Sequence, residues 1–470
     1  MRSTLFYIPQ FIPGDPLQLP VFGLGWLLIA WLAIAGGVLY GWSRFSQSKV
    51  DWYGLIPYLS VVGLGIWLVL PNLLQKDEAG NLGLPIRTYG LFMVAAVLSG
   101  VLLAAYRARR MGIDPEVIYS LAMCMVIAGI VGARAFFVIQ YWTRDFYVPG
   151  NLIATLQRVV NVPQGGLVVY GAVLGSFPVG VWYLWSRKLP PLVIADIVAP
   201  SMLLGLALGR MGCFMNGCCF GGFCTEVPPA LTFPQGSPPF IHQQAMGWTT
   251  GVWLENDDSQ VPRVVVGYVE PASPAAEAGV KAGEAVAVIN GVVITAGGEI
   301  EVKVDGKSER KTVLPLEFAQ YHLNQSTQLA RPGPWNVEIG LTDGSTQRWQ
   351  VRKAPPRSAP VHPAQLYAAI DAGLLALLLW FVYPFRRRDG EVTAIMFTLH
   401  PPSRFLLEMV RVDEAGVFGT SLSISQVVSI GLFAIGLGIW WYVESQPRGS
   451  LVPVKGGSAG DGLANDLGTT

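Results

Sequence analysis

The sequence predicts a polytopic α-helical membrane protein of about nine transmembrane helices, with a small β-rich domain inserted between the sixth and the seventh. Three observations predict it. The 470 residues are 52% hydrophobic and 13% charged, with fifteen Trp and a mean hydropathy of +0.44, too apolar for an ordinary soluble enzyme. Nine predominantly apolar runs approach the roughly 20 residues that a bilayer core of about 30 Å requires. Between about Gly217 and Val361 the pattern changes to strand-like alternation, turns and charges. The net charge of +1 and pI near 7.6, with basic residues interspersed along the chain, exclude a nucleic-acid partner.

The runs extend approximately from Phe22 to Trp42, Tyr53 to Leu70, Ile86 to Tyr106, Val117 to Ile139, Gly166 to Trp185, Leu192 to Phe214, Ala364 to Phe385, Val392 to Val410 and Ile424 to Val443. His400, Pro401 and Pro402 interrupt the eighth in its middle. The first follows a Pro-rich leader that has no small-residue cleavage site, so it reads as a span and not as a removed signal peptide.

Lys and Arg in short loops prefer the cytoplasm. Arg44 and Lys49 follow the first run, Arg107, Arg109 and Arg110 the third, Arg187 and Lys188 the fifth, and Arg386, Arg387 and Arg388 the seventh. Every odd-numbered span therefore ends inside, which places the N-terminus and the insert outside and the C-terminus inside.

Within the insert, the stretch from Arg263 to Ile294 reads as a strand, a short helix from Ser273 to Ala278 begun by Ser-Pro, a stop at Gly279 and a strand ending at the Asn290-Gly291 turn. It resembles a PDZ domain, whose closing strands are expected from Trp335 to Leu341 and Thr346 to Arg352 around the Asp343-Gly344 turn. Such domains add a peptide strand to their sheet, so a peptide or protein ligand is expected there. The expected boundaries are 1–80 for two extra N-terminal spans, 81–225 and 361–445 for the membrane core, 226–360 for the insert and 446–470 for a disordered tail rich in Gly and Ser.

With orientation set, the unusual polar residues fall at one membrane face: Arg87 and Tyr89 at the start of span three, Arg134 near the end of span four, and Gly165, Gly166 and Tyr170 opening span five. Arg210 and Asn216 end span six, His362, Gln365 and Tyr367 begin span seven, and Arg404, Glu408 and Arg411 end span eight at helical spacing. A single Arg at a span end is an ordinary snorkelling anchor. Several at one depth, each costing ~2.5–3.5 kcal/mol on insertion, point to an anion site, and a phospholipid headgroup is the anion available there.

These residues lie in RTYGL (Arg87 to Leu91), GARAFF (Gly132 to Phe137), GGLVVYGAVLG (Gly165 to Gly175), GRMGCFMNGCCFGG (Gly209 to Gly222), HPAQLY (His362 to Tyr367) and RFLLEMVR (Arg404 to Arg411). The ordered series resembles the prolipoprotein diacylglyceryl transferases, bacterial inner-membrane enzymes with a seven-span core. The first two spans and the insert lie outside the resemblance. It implies transfer of the diacylglyceryl group of phosphatidylglycerol to the lipobox cysteine thiol of a preprolipoprotein, with Arg210 and Arg404 stabilising the departing phosphate. Glu408 orients Arg404 or Arg411, and Tyr89, Arg134, Asn216, Gly221 and His362 complete a substrate-binding set. No cofactor is implied.

The chain departs from the family at Tyr170, where the family has a histidine, and at Cys213 and Cys218, where it has Asn and Glu. A tyrosine with a pKa near 10 is a poor base at neutral pH, and His400 and His362 are alternatives. Cys213, Cys218, Cys219 and Cys224 cluster in one outer loop. Disulfides, a thiolate metal site and simple packing of a Gly-rich turn are all open readings, although the spacing is no usual zinc pattern and no metal is expected. A non-catalytic phospholipid-binding scaffold that holds partners through the insert is the alternative function. A transporter lacks support, since no inverted repeat is visible.

Overall fold

The computed structural model describes residues 4–45, 60, 62–76, 80–142, 146–147, 151–160, 166, 168–224, 230–257, 263–271, 273–304, 307–325, 336–351, 356–411, 420 and 422–450. The chain divides into two compact units: one holds the apolar helices, the other is Cys213–Gln365 with the short stretch at Val410 and Arg411. The second unit thus begins inside the last turn of a long helix, earlier than position 226.

The first unit opens with β1 (Thr4–Pro9), α1 (Trp26–Phe45), β2 (Gln75–Lys76) and β3 (Leu82–Arg87), followed by α2 (Thr88–Arg110), α3 (Pro115–Gln140), α4 (Leu152–Val160), α5 (Val169–Ser186) and α6 (Pro191–Asn216). The leader is not a simple tail: β1 pairs antiparallel with β3, Thr4 opposite Arg87 and Pro9 opposite Gly83. Arg87 is also the N-cap residue of α2, and its Nη2 donates to Gln75 Oε1 at 3.1 Å.

Small residues let the helices touch. A Cβ on Gly132 of α3 would strike the Gly171 carbonyl oxygen of α5 and lie 2.9 Å from Gly175 Cα, so the two backbones are in contact. Between α2 and α6, a Cβ on Gly100 would lie 3.2 Å from the Ser201 carbonyl oxygen, and one on Gly205 3.3 Å from that of Ala96. These approaches set α3, α5 and α6, which carry Arg134, Tyr170 and Arg210.

In the second unit come α7 (Pro238–Ala245), β4 (Val252–Asn256), β5 (Val264–Val269), α8 (Pro274–Glu277), β6 (Val286–Ile289), β7 (Val292–Val293), β8 (Gly298–Val304), β9 (Lys307–Val313), α9 (Pro315–Gln325), β10 (Asn336–Leu341) and β11 (Thr346–Gln350). One sheet has the order β11-β10-β6-β7, with two further hairpins, β4-β5 and β8-β9. Ser273 Oγ accepts the Ala276 amide at 3.2 Å, capping α8. Asn290 and Gly291, both at positive φ (51° and 81°), turn β6 into β7. Val266, Ile289, Val337 and Ile339 are fully buried in the core of this unit. The hairpin β8-β9 and helix α9 were not foreseen, and Trp335 and Arg352 lie outside the described residues.

The chain returns to the first unit with α10 (Ala364–Val382), α11 (Glu391–Glu408) and α12 (Ile424–Ser445). Two expectations change here. Helix α11 runs without interruption through His400, Pro401 and Pro402; proline is tolerated in a membrane helix where neighbours cover the freed carbonyls, and a Cβ on Gly436 of α12 would lie 2.7 Å from the Phe397 carbonyl oxygen. Arg107 and Arg386 are buried and not in open loops: both guanidinium groups stack on Tyr383, at 4.2 and 4.0 Å from the ring centroid.

Five helices among the described residues are long and apolar enough to cross a membrane: Thr88–Arg110, Pro115–Gln140, Pro191–Asn216, Ala364–Phe385 and Ile424–Ser445. The remaining runs give two shorter apolar helices, Trp26–Gly37 and Val62–Leu73, and two helices of 18 residues, α5 and α11. Part of the run from Tyr53, and the tail after Ser450, lie outside the described residues.

Candidate active site

A cavity of about 200 Å³ in the first unit is lined by Tyr170 of α5, Arg210 of α6, Asp371 of α10, His400 and Arg404 of α11, and Ser425 of α12. All four residues expected to be catalytic meet there. The volume holds several water-sized groups, enough for a polar headgroup and too little for a whole diacyl lipid.

Helix α11 supplies two of the four, and its start is fixed from below. Asp196, fully buried in α6, accepts the Gly390 amide at 2.7 Å, the Thr393 amide at 2.8 Å and the Thr393 hydroxyl at 2.7 Å. A carboxylate at a helix N-terminus satisfies otherwise unpaired amides and complements the helix dipole. From that anchor His400 and Arg404, at i and i+4, share a face.

Arg404 Nη1 pairs with the carboxylate of Glu408, one turn on and buried, and its Nη2 donates to Ser425 Oγ at 3.2 Å. The guanidinium is therefore held on two sides. Arg411, expected on the same helical face, lies beyond the end of α11; its backbone forms an antiparallel bridge with Gly221 in the second unit. The one-face reading extended a helix past its last turn. Arg210 lines the cavity and makes no hydrogen bond or ion pair among the described residues.

His400 Nδ1 lies 3.9 Å from Asp371 Oδ2, and Ser403 Oγ donates to the same oxygen at 2.8 Å. Sequence reasoning missed Asp371. A signal was present: it is the single carboxylate within the apolar run from Ala364 to Phe385, and an ionisable residue inside a span is costly enough to need a purpose.

The other expected residues lie elsewhere. Tyr89 packs on α6, its Cδ2 lying 3.4 Å from where a Cβ of Gly212 would sit. Arg134 holds backbone: Nε donates to the Val159 carbonyl at 2.9 Å, Nη2 to that of Arg158 at 2.8 Å and Nη1 to that of Gly166 at 3.2 Å. It thus clamps the end of α4 and the entry to α5. In the second unit, the Gly221 amide donates to the His362 carbonyl at 2.9 Å and the His362 amide to the Gly222 carbonyl at 3.0 Å. A Cβ on Gly221 would lie 2.6 Å from His362 Cβ, so only glycine fits. Gly165 is outside the described residues.

Cys213, Cys218 and Cys219 bring their sulfur atoms within 4.8 Å of one another as free thiols, and Cys224 is not of this group. Hydrogen bonds from Cys213, then Cys219, with a further one from Asn216, hold the Cys218 thiol well below the ordinary range.

Apolar helices around a cavity lined by two guanidinium groups and a neighbouring histidine and carboxylate define a polytopic membrane protein with a polar pocket among its helices. The family model of the prolipoprotein diacylglyceryl transferases matches residues 77–246 and 306–442, and the chain belongs to that family. The phosphatidylglycerol–prolipoprotein diacylglyceryl transferase of Rhodopirellula baltica is 32% identical over 97% of this chain and 94% of its own length. Proteins of that name from Trichormus variabilis and Bacillus cytotoxicus are 35% and 34% identical over 33% and 34% of this chain, alignments that span 52% and 57% of those relatives. The family match is interrupted over 247–305, within the β-rich unit.

Proposed function

We propose that the chain transfers the diacylglyceryl group of phosphatidylglycerol to the lipobox cysteine thiol of a preprolipoprotein. The sulfur forms a thioether bond to the glyceryl carbon as that carbon's bond to the phosphate oxygen breaks, and glycerol phosphate departs. The observation that carries this reading is the meeting of Arg210 and Arg404 with His400 in one cavity. The two guanidinium groups suit the phosphate on which negative charge builds. His400, with the Asp371 carboxylate 3.9 Å away, takes the thiol proton, which supplies the base that Tyr170 in the family's histidine position makes scarce. Tyr170 lines the same space, where its hydroxyl is placed to donate to a bound headgroup. Glu408 and Ser425 keep Arg404 aimed inward. The non-catalytic scaffold loses its main support with a base available.

Nine spans, of which seven form the transferase core, fit the loop charges. In this reading the N-terminus and the 226–360 insert face outward from the bacterial inner membrane and the C-terminal tail faces the cytoplasm. A PDZ-like insert would take a peptide strand along a sheet edge. The family motifs that hold Tyr89, Asn216, Gly221, His362 and Arg411 support a role for them in binding the lipid or the lipobox, and Arg134 acts through the segment it clamps. The test is a cell whose own transferase can be depleted: the expressed chain restores lipoprotein modification and growth, and failure by protein present in the membrane at normal level would refute the assignment.

A further inference from the structure

We propose that Cys213, Cys218 and Cys219 form a binding site for a thiophilic d10 cation, zinc or copper(I), held by three thiolates with one coordination position open to a ligand from outside the chain.

The backbone builds the convergence. Cys213 sits in the last turn of α6, where the Gly217 amide donates to the Phe214 carbonyl at 3.1 Å and the Cys218 amide to the Cys213 carbonyl at 3.2 Å. Gly217, at φ +77°, makes this reversal and returns Cys218 over Cys213. Adjacent side chains in extended backbone diverge, yet Cys219 adopts φ +58°, a left-handed conformation uncommon for a residue with a Cβ. That conformation brings neighbouring thiols to one side. Gln365, buried, fixes the loop from behind by donating to the Cys218 carbonyl at 2.6 Å.

The chemistry fits the geometry. Metal–sulfur bonds of about 2.3 Å in a tetrahedron separate the sulfurs by roughly 3.8 Å, so sulfurs already within 4.8 Å of one another need draw together by no more than about 1 Å to hold an ion. Soft thiolates select zinc and copper(I) over harder ions. No histidine or carboxylate joins the group among the described residues. Three protein ligands and an open fourth place is the arrangement of zinc sites that exchange a ligand, unlike closed four-ligand structural sites. A disulfide could consume only two of the three thiols. The spacing, i, i+5 and i+6, hides the site in the sequence because the turn, and not the chain separation, brings the sulfurs together.

The test uses the full chain in detergent, purified without chelator, in a background where Cys124→Ser and Cys224→Ser remove the other thiols. Separate loading with zinc(II) and copper(I), followed by elemental analysis and X-ray absorption, should show about one ion of one kind per chain with three sulfur neighbours at about 2.3 Å. Cys213→Ser, Cys218→Ser and Cys219→Ser should each weaken binding at least about 10²-fold. Retained ion should also shield all three thiols from alkylation until a chelator is added, a readout that survives if a serine variant fails to fold. Failure of both ions to bind at near-equal stoichiometry, serine variants that bind as the parent does, or a disulfide between two of the three would each overturn the proposal.

Discussion

The His400 imidazole and the Asp371 carboxylate face each other from α11 and α10, with Nδ1 3.9 Å from Oδ2 and the Ser403 hydroxyl donating to the same oxygen. A carboxylate at this distance does not hydrogen-bond Nδ1, but its charge steadies the imidazolium formed when the ring takes a proton. His400→Asn should therefore lower the transfer rate by about 10²–10⁴-fold with little change in phosphatidylglycerol binding. Asp371→Asn should fall between that variant and the parent. Single-turnover assays with a lipobox peptide measure both. Tyr170→Phe, which removes only a hydroxyl, should cost less than either, and a larger loss at Tyr170 would move the base to that residue.

The buried Glu408 holds Arg404 in place, so removing the carboxylate alone leaves a charge without its partner. Glu408→Ala should destabilise the protein by about 3–5 kcal/mol and disable transfer. The Arg404→Met/Glu408→Ala double variant should be more stable than Glu408→Ala while remaining inactive. Thermal unfolding of the parent, Arg404→Met, Glu408→Ala and the double variant in detergent closes the cycle.

Asp196 carries the start of α11 through three hydrogen bonds, to Gly390 and Thr393. Asp196→Ala should cost about 1–3 kcal/mol through the amides it strands, and should reduce kcat as His400 and Arg404 lose their footing. A variant that unfolds as the parent does would show the anchor to be dispensable.

Contact between α3 and α5 depends on the absence of side chains at Gly132 and Gly171. A Cβ at Gly171 would lie 2.5 Å from the Gly132 carbonyl oxygen. Gly171→Leu should separate the helices and sharply lower the yield of folded protein, whereas Gly431→Leu, at a position with nothing within 4 Å of an added Cβ, should be tolerated. Fluorescence-detected size-exclusion chromatography distinguishes them.

Much of this was readable from the chain. The long apolar runs mark the helices, and Asn290-Gly291 and Asp343-Gly344 mark hairpin turns because few other residues accept those backbone angles. Arg210 and Arg404 could be singled out because charges in spans are costly, and Tyr170 and His400 because the family has a histidine where this chain has Tyr170. What escaped depends on contacts between distant segments. Nothing local in Thr4–Pro9 announces its pairing with Leu82–Arg87. Asp371 looks like an isolated carboxylate until α11 brings His400 beside it. Arg107 counts as a loop charge by composition and is buried against Tyr383 in the fold. The three-thiol group depends on a left-handed Cys219, which no spacing rule anticipates.

Transfer of labelled diacylglycerol from phosphatidylglycerol to a lipobox peptide by the purified chain tests the central claim most directly, with Arg210→Ala as the comparison. The parent should form the thioether-linked product and release glycerol phosphate in equal amount, and Arg210→Ala, folded and membrane-extracted like the parent, should lose at least about 10²-fold in rate. A parent that yields neither product, or an Arg210→Ala variant as fast as the parent, would contradict the account.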